Sequence, residues 1–126
     1  MRGPEKTTHC MSTYSRGRVI VVEVPFSDLS GTKRRPALIV SSEEFHGGLP
    51  DVIVCPISSR PRYFDRPGPG DLPLQHWKKA GLRYPSTARV SKVVSVSKQM
   101  IARGLGRVAP QDLRRVEDTF REALGL

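Results

Sequence analysis

The chain has 126 residues, enough for one domain with a modest core and too few for two. Lys and Arg number 21 against 12 Asp and Glu, a formal charge of +9, which points to a polyanion such as nucleic acid as partner. A membrane surface is disfavoured, because no basic amphipathic helix with exposed large apolar residues stands out, and the apolar runs have strand length rather than membrane-spanning length.

Residues 1–15 are polar and lack hydrophobic periodicity, so they read as a disordered leader before a folded domain over 16–126; Met11 is a second candidate initiator. Val19 to Val24 is β-branched and bounded by Gly17 and Pro25, a strand signal. A polar loop, Ser27 to Thr32, leads into the basic triplet Lys33, Arg34 and Arg35. Pro36 then opens a second strand running to Ser42, since a proline fits at the first residue of a strand or on an edge. Ser41 to Pro50 connects, and Asp51 to Ile57 is a third strand in which Pro56 marks a bulge or an end. Ser58 to Asp71 is a long loop rich in Pro, Gly and Arg, of a length that argues for function or mobility. Leu74 to Ala80 is expected as a short helix stopped by Gly81. Ser86 to Ser97 alternates as one bent strand or two short ones. Pro110 to Leu124 is the clearest helix, with Leu113, Val116, Phe120, Ala123 and Leu124 on one face and Arg114, Arg115, Asp118 and Arg121 opposite. The order shows no βαβ alternation. The expected class is mainly β with α: five or six short strands in a small, partly closed antiparallel barrel, with the C-terminal amphipathic helix packed on it.

Cys10 and Cys55 lie far apart in different contexts, which speaks against a disulfide framework. The N-terminus has no apolar signal-peptide region, and a reducing cytoplasm is the expected location. His9, His46 and His76 show no paired ligand spacing with one another or with the cysteines, so neither a metal nor another cofactor is expected. The strongest chemical signal is Arg35. It sits at the mouth of a strand beside a polar loop, and its permanently charged planar fork matches phosphate oxygens.

Four segments, taken in order, resemble the MazF/PemK family of toxin endoribonucleases. They are Arg-Gly-Arg-Val-Ile-Val-Val-Glu (16–23), Phe-Ser-Asp-Leu-Ser-Gly-Thr-Lys-Arg-Arg-Pro-Ala-Leu-Ile-Val (26–40), Asp-Val-Ile-Val-Cys-Pro-Ile-Ser-Ser (51–59) and Gly-Leu-Arg-Tyr-Pro-Ser-Thr-Ala-Arg-Val-Ser-Lys (81–92). The resemblance implies an SH3-like barrel and a homodimer. It implies metal-independent cleavage of single-stranded RNA, as the toxin of a type II toxin–antitoxin system, and a cognate antitoxin that blocks the groove. Its catalytic pair, an arginine before the second-strand proline and a hydroxyl at the end of the third strand, falls on Arg35 and Ser58. Two departures are visible. Ser58 stands where threonine is common, which keeps the hydroxyl but loosens its rotamer. Arg18 stands where an aspartate often follows the glycine.

Arg35 is expected to stabilise charge on phosphate oxygens as the substrate 2′-hydroxyl attacks. Ser58 is expected to donate a hydrogen bond to the scissile phosphate, with Ser59 next in register. Lys33, Arg34, Arg60, Arg62 and Lys92 are candidate contacts to the RNA backbone. Asp28 positions the first loop or makes a local turn. Tyr63 and Phe64 stack on splayed bases or anchor the long loop. His46 and His76 are expected at the surface, and Trp77 is expected to plug the barrel end or a dimer contact. Two other readings compete. One is a non-catalytic inhibitor on the same scaffold, of the kind that binds DNA gyrase. The other is an SH3-like RNA- or ribosome-binding module. Neither needs the Arg35–Ser58 pair.

Overall fold

The computed structural model describes residues 14–25 and 31–126. Among these, the elements in chain order are β1 (Arg18–Pro25), β2 (Thr32–Ile39), α1 (Glu43–His46), β3 (Asp51–Ser58), α2 (Pro61–Asp65), β4 (Asp71–Pro73), β5 (Thr87–Arg89), β6 (Val94–Ser97), β7 (Ile101–Arg107) and α3 (Pro110–Leu124). Every strand pairing is antiparallel, in the order β4-β5-β3-β2-β1-β7, with β6 on β3 as well. The expected class holds, while the sheet stays open, with β4 and β7 at the ends of that path. The leader expected over 1–15 lies almost wholly outside the described residues.

The apolar runs are continuous because both faces of the central strands are covered. Side chains alternate across a strand, and here the alternation divides two cores. Val19, Leu38, Cys55 and Ile57 face one cluster with Leu72, Leu74 and Val116. Ile20, Val22, Ala37, Ile39, Val52 and Val54 face the other, with Val96, Met100 and Ile101 at its margin. Replacing the fully buried Leu38 by Ala would cost about 2–5 kcal/mol. Cys55 is buried and free, and burial pushes its thiol up to about 12, so it stays protonated.

Several expectations change. Ser86–Ser97 is two strands separated by a 3-10 turn over Val90–Lys92. The long loop contains α2, started by Pro61 in its first turn. The segment 74–80 forms turns rather than a helix. Seven residues are too few to sustain a helix by themselves, and the amides of Gln75 and His76 donate to the carboxylate of Asp112 at 3.0 and 2.9 Å. Asp112 is itself buried in the first turn of α3. Trp77 packs part-buried against the first core. The apolar face of α3 is core only as far as Phe120: Ala123 and Leu124 are exposed.

β7 was not expected, because Gly104 and Gly106 break its pattern. The glycines are there for close approach. A Cβ on Gly106 would stand 2.6 Å from the Ala80 carbonyl oxygen, and one on Gly81, at φ +86, would stand 2.4 Å from that of Leu105. The 77–81 turn therefore lies directly against β7, backbone on backbone.

His46 is buried, not at the surface as expected. Its Nδ1 lies 2.7 Å from Ser41 Oγ, which accepts from Ile53 N at 3.0 Å. Burial lowers its pKa below the ordinary 6.5; nearby Lys98 lowers it further, while a backbone contact from Tyr14 and the charge of Glu43 oppose the shift. A histidine harder to protonate in the fold leaves the unfolded chain holding more protons below pH 6.5, so acid favours unfolding. The urea-unfolding free energy should fall as pH drops below about 6.5, ahead of carboxylate titration, and His46→Gln should flatten that part of the profile. An identical slope in the variant would contradict this account.

Candidate active-site cleft

The site forms where the ladder between β2 and β3 stops. The paired positions are Ile39 with Val54, Leu38 with Cys55 and Ala37 with Pro56. Two further steps in that register would set Pro36 against Ile57 and Arg35 against Ser58. Pairing ends first, because neither Pro36 nor Pro56 has an N–H to donate. β3 exchanges partners at the same place. It runs beside β6 from Asp51 to Val54 and beside β5 at Ile57 and Ser58. Pro56 therefore marks a change of neighbour rather than the end of the strand. Pro36 sits inside β2, at the limit of its two-sided pairing, rather than at its first residue.

Beyond the prolines lies a cavity of about 450 Å³, which both Arg35 and Ser58 line. Opposed residues of an antiparallel pair project to the same face, so a guanidinium from β2 and a hydroxyl from β3 share one cleft. Arg34, Ser59, Arg60 and Lys92 also line it. Six of the nine expected site residues are thus brought together. Arg34 is tied across the sheet to Glu23, Nε to Oε2 at 2.9 Å; the pair is exposed and contributes little stability. Ser58 Oγ accepts from Arg60 N at 3.2 Å. This bond restrains the rotamer that the missing β-branch leaves loose, and the hydroxyl hydrogen stays available to a ligand.

Two expected residues stand elsewhere, and a third is not among the described residues. Lys33 is exposed on β2, outside the cleft lining. Arg62, in α2, sits over the Tyr63 ring, 5.4 Å from its centroid. Asp28 lies outside the described residues. His76 is half-buried rather than at the surface.

Sequence reasoning missed Arg89, which also lines the cleft. Its Nε donates to Asp71 Oδ1 at 2.8 Å, and its guanidinium lies 3.9 Å from the Tyr63 ring centroid. Asp71 is almost buried and uses its second oxygen to accept from Gly68 N at 3.0 Å. The hydrogen bond to Asp71 raises the pKa of Arg89 further still. Tyr63 therefore anchors an arginine. The signal was faint, since Asp71 and Arg89 meet only because β4 pairs with β5.

No carboxylate or imidazole lines the cleft among the described residues. Among them, too, no group of His, Cys, Asp and Glu could hold a metal ion. The arrangement is suited to holding a phosphodiester. Arginines and a lysine line the cleft, one arginine fixed by stacking and a nearly buried carboxylate, beside the hydroxyls of Ser58 and Ser59.

Residues 15–124 match the family model of PemK-like, MazF-like toxins of type II toxin–antitoxin systems. The chain belongs to this family. Solved structures agree in fold. An endoribonuclease in complex with its cognate antitoxin, from a mycobacterial species, is 19% identical with a TM-score of 0.70, over 89% of this chain and 95% of that one. A MazE-MazF structure from Deinococcus radiodurans is 19% identical with a TM-score of 0.71, over 89% and 96%. The Mycobacterium tuberculosis toxin MazF-mt6 is 20% identical with a TM-score of 0.65, over 85% and 97%. No curated protein sequence is significantly similar to the chain.

Phosphate binding by charge has a measurable signature. Affinity for a single-stranded oligonucleotide should fall about tenfold between roughly 50 and 200 mM salt if two or three phosphates are neutralised. Arg89→Gln should reduce the slope against log salt by about 0.7. Anisotropy titrations check both, and an unchanged slope in the variant would remove Arg89 from the phosphate contacts.

Proposed function

We propose that this MazF-like toxin is an endoribonuclease that cuts single-stranded RNA without a metal, using the substrate's own 2′-hydroxyl. The reading rests above all on the convergence of Arg35 and Ser58 across the splayed ends of β2 and β3. These are the two residues that match the family's catalytic pattern, and they share one cationic cleft.

The 2′-oxygen attacks phosphorus, the P–O5′ bond breaks, and a 2′,3′-cyclic phosphate forms. The 2′-hydroxyl proton passes to water, and the 5′-oxygen leaves as a hydroxyl after taking up a proton. Negative charge grows on the non-bridging oxygens during this step. Arg35 and Arg89 neutralise it, and Ser58 donates a hydrogen bond to it. The hydroxyls of Ser58, Ser59 and Tyr63, together with water in this open cleft, are the proton carriers at hand. Arg34, Arg60 and Lys92 hold the flanking backbone. The protein works as a homodimer, and a cognate antitoxin with an acidic, largely disordered segment covers the cleft, because opposite charge speeds encounter and a folding segment wraps a large surface.

Purified protein in EDTA should cut single-stranded RNA and leave 5′-hydroxyl ends with 2′,3′-cyclic phosphate or its 3′-phosphate product. Arg35→Ala and Ser58→Ala should each fold and lose about 10²- to 10³-fold in rate. Sequencing and end-labelling of the fragments read the outcome. A strict requirement for added magnesium would contradict the mechanism, and wild-type rates in folded Arg35→Ala would favour an inhibitor on the same scaffold.

A further inference from the structure

A second hollow, of about 440 Å³, adjoins the cleft, and Arg34, Pro36 and Ser59 line both. Its other walls come from the 81–84 turn and from β7, through Leu82, Tyr84, Arg103 and Leu105. A third hollow beside α2 also reaches Ser59 and Tyr84. Ser59 and Tyr84 thus stand where the hollows meet, along one groove that runs away from the cleft.

Tyr84 is 59% exposed, yet its backbone is fixed. Its carbonyl accepts from Ser86 Oγ at 2.7 Å, Ser86 is buried, Pro85 restricts the link between them, and Leu82 packs against the core. A large aromatic ring on an anchored backbone meets a flat partner at little conformational cost. The surroundings specify that partner. Val21, Leu82 and Leu105 make apolar walls, Arg83 and Arg103 add to the charge of Arg34, and among the described residues no acidic side chain lines this hollow.

We propose that this hollow is a nucleobase subsite, in which Tyr84 stacks on a base flanking the scissile phosphate and Arg103 contacts the phosphate of that nucleotide. The inference deepens the RNA reading and rests on it. Charge complementarity and continuity with the cleft favour an RNA strand over a protein segment, because a flat ring and a nearby anion are what one nucleotide offers.

The test measures binding of 2′-O-methyl RNA, whose blocked 2′-oxygen cannot attack, by anisotropy. One oligonucleotide spans only the cleft, and two others extend it on the 5′ or the 3′ side. Tyr84→Ala should weaken one extended oligonucleotide about tenfold or more and leave the short one unchanged. Tyr84→Phe should bind as wild type, Arg103→Gln should weaken the same extended oligonucleotide, and melting curves should show all variants folded. Equal losses on short and long oligonucleotides would mean that the ring is structural. No loss on either, or loss only of an acidic peptide's binding, would assign the hollow elsewhere. Each of these results overturns the subsite and leaves the cleavage reading standing. If no oligonucleotide bound the wild type, the RNA reading would fall and the subsite with it.

Discussion

The ladder between β2 and β3 ends at Ala37 and Pro56, and the cleft exists because it ends there. Two prolines deprive adjacent strands of donors at the same level. Had pairing continued, Arg35 and Ser58 would be neighbours on a closed sheet surface, with no room between them for a phosphate. With pairing broken, the two side chains keep the facing that the register gives them while the backbones part. The exchange of β6 for β5 along β3 keeps the strand paired beyond the break, so Ser58 sits on anchored backbone. Rigid support of this kind allows a site to be preorganised.

The rest of the fold fixes the walls. A core on both sides of β1, β2 and β3 holds the floor. Asp112, buried in α3, accepts from the amides of Gln75 and His76 and from Arg115 Nη1, which also reaches the Pro73 carbonyl. Those contacts fasten the turn after β4, and β4 carries the Asp71 that holds Arg89. The glycine contacts at 81 and 106 bring the same turn against β7. Two carboxylates, Asp112 and the nearly buried Asp71, thus transmit the position of the C-terminal helix to the cationic cleft. Both are hydrogen-bonded, as burial demands.

Much of this was legible in the sequence. β1 and β3 are short continuous apolar runs rich in β-branched residues and α3 carries a strong period of 3.6, and their positions hold to within about a residue or two, the usual uncertainty of element ends. The site segment around Arg35 announced itself by its cations and its proline. What was hidden depends on contacts between distant residues. β7 contains glycines that only a close backbone neighbour explains, and β4 is a three-residue strand with no pattern of its own. Arg89 gains its place from Asp71 and Tyr63, which local spacing cannot pair. His46 looked solvent-facing because its burial comes from the Tyr14 and Lys98 segments folding over it. The end of α3 misled in the other direction: its apolar period continues through Leu124 although the core it would meet has run out.

The central claim is that Arg35 and Ser58 act together on one phosphate. A double-mutant cycle on RNA cleavage, comparing Arg35→Ala, Ser58→Ala and the double variant under single-turnover conditions, tests it most directly. Groups that serve the same transition state are not additive, so the double variant should be little slower than the worse single variant. Rate losses that multiply independently would contradict the account, because they would place the two side chains at separate tasks.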